Sequence, residues 1–554
     1  MSDEALVRAE ISFALYLIRA GRLEAAQDAL QALGTNAGSS VLPAFNELGG
    51  AFFDSGRYRQ AETVFLTVLQ QAPQDMEAMM GLGYALFNQN RLSESERWFR
   101  QATALPEAPV AAWRALAAAH LNLHDEAQAM KDLRQALAVA PGDAESHALK
   151  GLLVYRKSKA DLRWRDWTRL NLVDPKGRPN HVSGAVSPAE FDEALESLAL
   201  ARQIEPRIRT DEMGARLLVA SGRPEAGLDF LAASPAPDGR SWQLMADIAW
   251  LLRDETGAKA YFRKSLEARC QAQPEPRPLG DEASCIARVS KGLDLHAQLP
   301  PAATPLVWVH WDAPDYFALS IASALAASPA TPMVVLGDST NAYQPCRHLA
   351  LTRRADSAFE FLERYRHASE NDFAYEAFCF LRWFILRDWA EVEGVERLAA
   401  IDSDVLLFAD LERDLAPRLN GSDFAFAGPM GPHLTLLTRA GLQDLCDFYM
   451  TAYAQGVPDI GGQVSDMTLL PTFLKNRCWA DLSQEVAGAR VDMNMRLPED
   501  FVMAGGLKAI RFQGESAMAE PCGGGDGVRL LALHFQGPAK PHMGQALRME
   551  SLTA

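Results

Sequence analysis

The chain has 554 residues, a formal net charge of −17, 48% hydrophobic residues and 23% charged residues. Such a length exceeds one ordinary domain, and the composition is that of a globular protein. The acidic balance leaves a nucleic-acid-binding role without electrostatic support, and no apolar run approaches the ~20 residues that span a bilayer. The opening MSDEALVRAE is acidic and has no basic segment with an apolar core behind it, so no signal peptide is expected. Seven scattered cysteines form no C-x-x-C pair, which predicts neither a disulfide framework nor a zinc site, but a reducing cytoplasm.

The N-terminal half repeats itself. Phe45, Leu48, Gly49, Phe52, Ala61, Phe65 and Pro73 recur after 34 residues as Met79, Leu82, Gly83, Leu86, Ser95, Phe99 and Ala102. A third copy holds Trp113, Leu116, Ala117, His120, Ala129, Leu133 and Pro141. Small residues stand where two helices must approach closely, and large apolar ones where each hairpin fills its neighbour's groove. The pattern resembles the tetratricopeptide repeat over 42–143. Looser copies fit 7–40, the region around Ala194 and Pro206, and 239–272. A Gly-, Pro- and Asn-rich stretch at about 160–188 interrupts them and reads as an insertion. The expectation is a repeat solenoid over 1–270 whose concave face binds a protein or peptide, with a structural spacer as the alternative.

Prolines at 271–305 predict a linker, after which the pattern changes. LVWVHW (306–311) and PMVVLGDST (332–340) read as strands on either side of a helical stretch. Strand–helix–strand predicts an α/β domain over 306–554, with ligands beyond the carboxyl ends of the strands. Trp311, Asp312, Asp338, Asp402 and Asp404 lie at such ends. Residues 371–390 read as a long, mostly apolar helix, so Arg382 in its middle needs a partner. That partner is a structural carboxylate, the acid pair downstream, or a substrate phosphate.

The stretch LAAIDSDVLLF (398–408) sets Asp402 and Asp404, flanking Ser403, between two strand-like runs. Two acids there are costly without a positive partner, and period-two geometry would aim both at one divalent cation. GGQVSDMTLLPTFL (461–474) places Asp466 at a helix start, where Ser465 or Asp466 serves as a cap. RLLALHFQGPAKPHM (529–543) reads as a strand ending at His534, followed by Gly537 and Lys540. Imidazole suits Mn²⁺ as a third ligand, a glycine lets backbone N–H groups approach a diphosphate, and the lysine supplies a cation for it.

D-S-D between apolar runs, with H-F-Q-G-P-A-K-P downstream, resembles the GT-A glycosyltransferases over 304–545. It is most similar to the retaining families that include glycogenin and the bacterial lipopolysaccharide galactosyltransferases. The resemblance implies a Rossmann-like mixed sheet and transfer from a nucleotide sugar, a UDP-sugar, with Mn²⁺ or Mg²⁺. It implies that Asp402, Asp404 and His534 hold the metal and that Gly537 and Lys540 contact the diphosphate. It places Arg382 on phosphate or sugar, Asp466 facing the transferred sugar or acceptor, and Trp311, Asp312 and Tyr316 at the nucleoside. Ser403 and Asp338 are grouped with these donor-side residues. His542 departs from the pattern, since these families carry Trp after K-P. The alternative is a non-catalytic repeat scaffold with a degenerate transferase domain, against which Asp402, Asp404, His534 and Lys540 together speak; a phosphatase with a nucleophilic Asp is disfavoured by Leu406, where such sites usually carry Thr or Val.

Overall fold

The computed structural model describes residues 3–33, 40–158, 186–234, 237–271, 279, 304–343, 346–525, 527–550 and 552. Most of the insertion expected at 160–188 and of the linker expected at 271–305 lies outside the described residues. The chain divides into two compact units, with the division falling between Ser234 and Pro235.

The first unit is all-helical. Its hairpins pair α1 (Asp3–Arg19) with α2 (Leu23–Leu33), α3 (Leu42–Asp54) with α4 (Tyr58–Gln71), and α5 (Met76–Asn88) with α6 (Leu92–Thr103). They continue with α7 (Val110–Asn122) and α8 (Glu126–Val139), α9 (Ala144–Lys157) and α10 (Pro188–Ile204), and α11 (Asp211–Ala220) and α12 (Pro224–Ala232). The periodic glycines have a steric cause. A Cβ on Gly49 would stand 2.6 Å from the buried ring of Phe65, and one on Gly83 would collide with Phe99. The turns between hairpins are fixed by aspartates. Asp75 and Asp143 cap α5 and α9 by accepting from the N–H groups of Ala78 and Ser146, each at 2.8 Å. Each also accepts from the preceding repeat: Asn46 Nδ2 donates to Asp75 at 3.1 Å and Arg114 Nη1 to Asp143 at 2.8 Å. One carboxylate therefore both starts a helix and sets the register of the neighbouring pair.

The second unit opens with another hairpin, α13 (Gly239–Leu251) and α14 (Glu255–Arg269). The sequence assigns it to the solenoid, but its apolar face joins the core of the second unit. Ala246, Ala249, Ala258, Phe262 and Leu266 pack with Val307, Val334, Leu336 and Phe373. The boundary of the α/β unit thus lies before this hairpin, and not at 271–305.

The sheet follows: β1 (Leu306–Val309), α15 (Asp315–Ala327), β2 (Met333–Gly337), β3 (Arg347–Ala350), α16 (Asp356–Arg364) and α17 (Phe373–Glu393). Next come β4 (Arg397–Ile401), β5 (Val405–Leu407), β6 (Phe424–Phe426), β7 (Leu434–Thr438), α18 (Arg439–Ala452), α19 (Asp466–Leu474) and β8 (Ala480–Asp481). The main sheet has the order β3-β2-β1-β4-β7-β6-β8. β1, β2, β3 and β4 run parallel, and β7 is antiparallel to β4, so the sheet is mixed. Alternation sorts its faces: Leu306 and Trp308 point toward α15, while Val307 joins the side of α17. Helix α17 is buried around most of its surface and stops at Gly394, whose φ of 68° suits a residue without Cβ.

Short strands complete the unit: β9 (Ala489–Arg490), β10 (Met503–Ala504), β11 (Leu507–Lys508), β12 (Ile510–Gln513), β13 (Ser516–Ala519), β14 (Val528–Leu530) and β15 (Ala532–His534). The C-terminal run read as one strand is therefore two, β14 in a four-stranded sheet and β15 beside β5. A 3₁₀ turn, Gly537–His542, leads into α20 (Met543–Leu547). No helix among the described residues is long and apolar enough to cross a membrane. The described cysteines Cys270, Cys346, Cys379, Cys446, Cys478 and Cys522 are free thiols.

Candidate functional site

The two chemistry-bearing motifs meet through one strand pair. β15 runs antiparallel to β5 with His534 opposite Val405, and Phe535 N–H donates to the Asp404 carbonyl at 2.9 Å. Helix α15 fixes β5 from behind, because Ser320 donates to the Val405 carbonyl and Ser323 accepts from Leu407 N–H. Asp402 and Asp404 themselves lie in the turn between β4 and β5, not on a strand as the period-two argument assumed. The Asp402 N–H is held by the His433 carbonyl at 2.8 Å.

The two acids face different cations. Arg382, delivered by α17, reaches Asp402 Oδ1 at 2.6 Å and Asp466 Oδ2 at 2.7 Å. Lys540 Nζ lies 3.1 Å from Asp404 Oδ2, 3.2 Å from the Tyr316 hydroxyl and 4.4 Å from the Tyr316 ring centre. Burial raises the Asp402 carboxyl above the ordinary range; Arg382 opposes this and the neighbouring Asp404 adds to it. Burial alone would lower the Lys540 ammonium, but Asp404 and Tyr316 outweigh it and the net shift is upward. The same balance, with Asp402 and Asp466 as counter-ions, leaves Arg382 raised. Arg382 Nε is buried with no hydrogen-bond partner.

His534 is buried, and its Nδ1 sits 2.8 Å from the Met493 carbonyl, which places the ring proton there and turns Nε2 toward Asp404 Oδ1 at 3.6 Å. A second imidazole, His433, stacks on it at 4.0 Å between ring centres. Burial, and then His534, push His433 well below the usual imidazole range. Asp492 joins the two: its carboxylate accepts from His534 N–H at 3.2 Å, its carbonyl lies 2.9 Å from His433 Nε2, and it pairs with the fully buried Lys508. His433 and the Lys508 pair escape a sequence reading. The only local signals are a histidine preceding β7 and the weakly suggestive VDMNMRL run around Asp492.

The remaining expected residues are placed as follows. Ser403 is buried within the turn. Gly537 has φ +60° with open space where a Cβ would stand, so its backbone conformation, and not close contact, calls for glycine. Asp466 is 2% exposed and accepts from both Arg382 and Trp383 Nε1, which makes it the counter-ion of Arg382 and not a group facing a sugar. Ser465 caps α19 in a capping box with Thr468. Asp338 is buried and fully engaged: Oδ1 accepts from Thr340, and Oδ2 from Asp312 N–H at 2.8 Å. Its role is to build the turn after β2. Trp311 stacks on Phe378 at 4.2 Å, and Asp312 keeps partial exposure with φ 60°.

Asp402, Asp404 and His534 offer carboxylate oxygens and an imidazole nitrogen whose other nitrogen is already anchored, donor types that Mn²⁺ takes, but Asp402 is paired with Arg382 and Asp404 with Lys540. Among the described residues, the metal-type group whose ligand atoms fall within 4.8 Å of one another is instead Glu376, Cys379 and Asp466. Its carboxylates are already engaged, Glu376 by Ser369 and Asn371 and Asp466 by Arg382 and Trp383.

Tetratricopeptide-repeat family models match residues 46–109 and 239–269. The N-terminal region carries tetratricopeptide repeats. Such repeats suggest a protein-interaction role. The chain is similar to a tetratricopeptide repeat protein from Parabacteroides merdae, with 14% identity over 48% of this chain and 94% of that one, at a TM-score of 0.32. It is similar to a thermophilic repeat protein of Thermus thermophilus, with 22% identity over 38% and 99% of the two chains, at a TM-score of 0.26. PilF of Pseudomonas aeruginosa shows 16% identity over 48% and 92%, at 0.28. The sequence matches no curated protein.

Proposed function

We propose that the second unit is a metal-dependent glycosyltransferase of the retaining GT-A type, drawing on a nucleotide sugar such as a UDP-sugar, and that the repeat region recruits a protein or glycan acceptor. The observation that carries this reading is the β5–β15 pair, which sets His534 and Lys540 against Asp404 although the two motifs are far apart in sequence. The parallel β3-β2-β1-β4 half of the sheet, with Trp311 and Asp312 following β1, supports it. Asp402, Asp404 and His534 would hold Mn²⁺ or Mg²⁺, and the bound ion would supply positive charge to a leaving diphosphate. Lys540 would bind the same diphosphate, with Tyr316 holding the ammonium in place. Arg382, fixed by Asp466, would offer its Nε–H, which has no hydrogen-bond partner among the described residues, to a phosphate or sugar oxygen.

The test is nucleoside diphosphate release from a panel of nucleotide sugars with Mn²⁺, together with Mn²⁺ binding followed by electron paramagnetic resonance. Asp404→Asn and Asp402→Asn should abolish both while circular dichroism stays unchanged. Full activity in either variant sinks the assignment. A second reading, a repeat scaffold without catalysis, draws on the pairing of both acids with protein cations. It wins if no donor is turned over and Mn²⁺ does not bind.

A further inference from the structure

The α13–α14 hairpin matches a repeat pattern, yet its last residue is aimed at the ends of β1 and β2. Arg269 has a side chain only 5% exposed. Its Nη1 donates to Asp312 Oδ1 at 2.7 Å and lies 3.4 Å from Asp338 Oδ2, while Nη2 donates to Gln243 at 2.7 Å. The guanidinium lies 5.3 Å from the Trp311 ring centre. Room for its stem comes from Gly239, where a Cβ would collide with Arg269 Cγ. Its backbone takes part too, since Ser339 N–H donates to the Arg269 carbonyl at 3.0 Å. The same hairpin reaches the helix that carries Arg382: Asp247 accepts from Ala374 N–H at 2.9 Å in the first turn of α17, and Trp250 stacks on Phe373.

Asp312 is the residue this arrangement controls. It holds a left-handed conformation, φ 60°, that a non-glycine residue adopts at some cost. Asp338 pins its N–H and the buried Arg269 pins one carboxylate oxygen, with the exposed Arg240 of the same hairpin 3.5 Å from that oxygen, while the side chain stays 31% exposed. Asp338 has no comparable freedom, being buried and engaged on both oxygens. Of the two aspartates at these strand ends, Asp312 is the one presented outward.

We propose, building on the nucleotide-sugar reading, that this repeat hairpin is a working wall of the nucleotide site and that Arg269 is its positioning residue. Arg269 orients Asp312 to accept from the hydroxyl or ring N–H donors of a nucleoside. The α/β unit then requires the hairpin for donor binding and not only for folding.

The experiment uses the full chain and titrates UDP, GDP and ADP with Mn²⁺ by calorimetry, alongside thermal melting. Arg269→Met keeps the packed stem and removes the charge. It should weaken the preferred nucleotide about 10- to 100-fold, by analogy with the loss of an outer-shell partner that orients a metal ligand. Asp312→Asn should weaken it similarly, and the double variant should be no worse than either single one, because both remove one arrangement. Arg269→Lys should recover part of the loss. Lys259→Met is the control: Lys259 lies on the same hairpin and donates to the Glu363 carbonyl at 2.7 Å, so it should lower the melting temperature without altering nucleotide affinity. If Arg269→Met melts lower but binds nucleotide as the natural chain does, the hairpin is a buttress and the inference falls alone. If the natural chain binds none of the three nucleotides, the nucleotide-sugar reading falls and this inference with it.

Discussion

In the α5–α6 hairpin, Gly83 makes room for the ring of Phe99; in α13–α14, Gly239 makes room for the stem of Arg269. The steric device is the same and the chemistry is opposite. Phe99 is buried among Ala115, Leu116 and Ala119, the helix of the following repeat. Arg269 carries its charge to two aspartates after parallel strands. A helical hairpin offers a groove whose occupant decides the neighbour. An apolar occupant leaves the hairpin able to stack on its own kind. A charged one ties it to a surface where carboxylates wait.

The second unit differs from the repeats in how much charge it buries, and the largest effect we expect tests that. Glu376 on α17 is 1% exposed, and burial raises its carboxyl to about 7, with Asn371 and Ser369 opposing. A folded value above the unfolded one means that stability is full below about 4.5 and is lost as pH rises toward 7. The loss amounts to about 3 kcal/mol. Glu376→Gln should therefore melt higher than the natural chain at pH 8 and the same at pH 4.5. A gain that is equal at both pH values would show that the buried charge is not its cause.

Next in size are the two basic groups at Asp404. If the second unit is the glycosyltransferase proposed above, Lys540→Ala removes a charge-assisted contact to the donor diphosphate worth roughly 2–3 kcal/mol, so kcat should fall about 30- to 150-fold with little response to added Mn²⁺. His534→Ala should lose Mn²⁺ affinity, and activity should return in part as the metal is raised. Equal rescue of both variants would mean that the two side chains do not have separate tasks. The smallest effect sharpens the hairpin comparison directly. Gly83→Ala and Gly239→Ala each overpack a seam at a cost of about 1–3 kcal/mol, read as a lower melting temperature. Only Gly239→Ala should also weaken nucleotide binding. Parallel losses in nucleotide affinity would erase the distinction between the seams.

What could be read from the sequence was what is local. The repeat register, the all-round apolar helix that became α17 and the strand-like flanks of D-S-D each show within a short window. The pairing of His534 with Asp404 was legible only because both ends carry recognisable motifs. The resemblance puts Asp466 at a sugar, whereas in the structure it pairs with Arg382, 84 positions away, and the local capping signal belongs to Ser465. Asp338 looked like a ligand at a strand end, but Thr340 and the Asp312 N–H occupy it. The repeat pattern over 239–272 assigns this hairpin to the solenoid because such a pattern records its inner seam and says nothing of what its outer face meets.

The β5–β15 pair also sets an order of events in synthesis. Val405 and His534 stand 129 positions apart and are hydrogen-bonded neighbours in the finished unit. Closing so long a loop gives nothing back until the last strand arrives, so this step is slow compared with hairpin formation in the repeats. A ribosome-bound chain would hold folded repeats and a D-S-D turn while its imidazole and ammonium partners were still unmade. On the proposed reading, activity at this turn would be withheld from nascent chains. Stalled intermediates ending before Ala532 should display the folded repeats to a partner without Mn²⁺ affinity, a separation that pull-down and metal binding on such intermediates would measure.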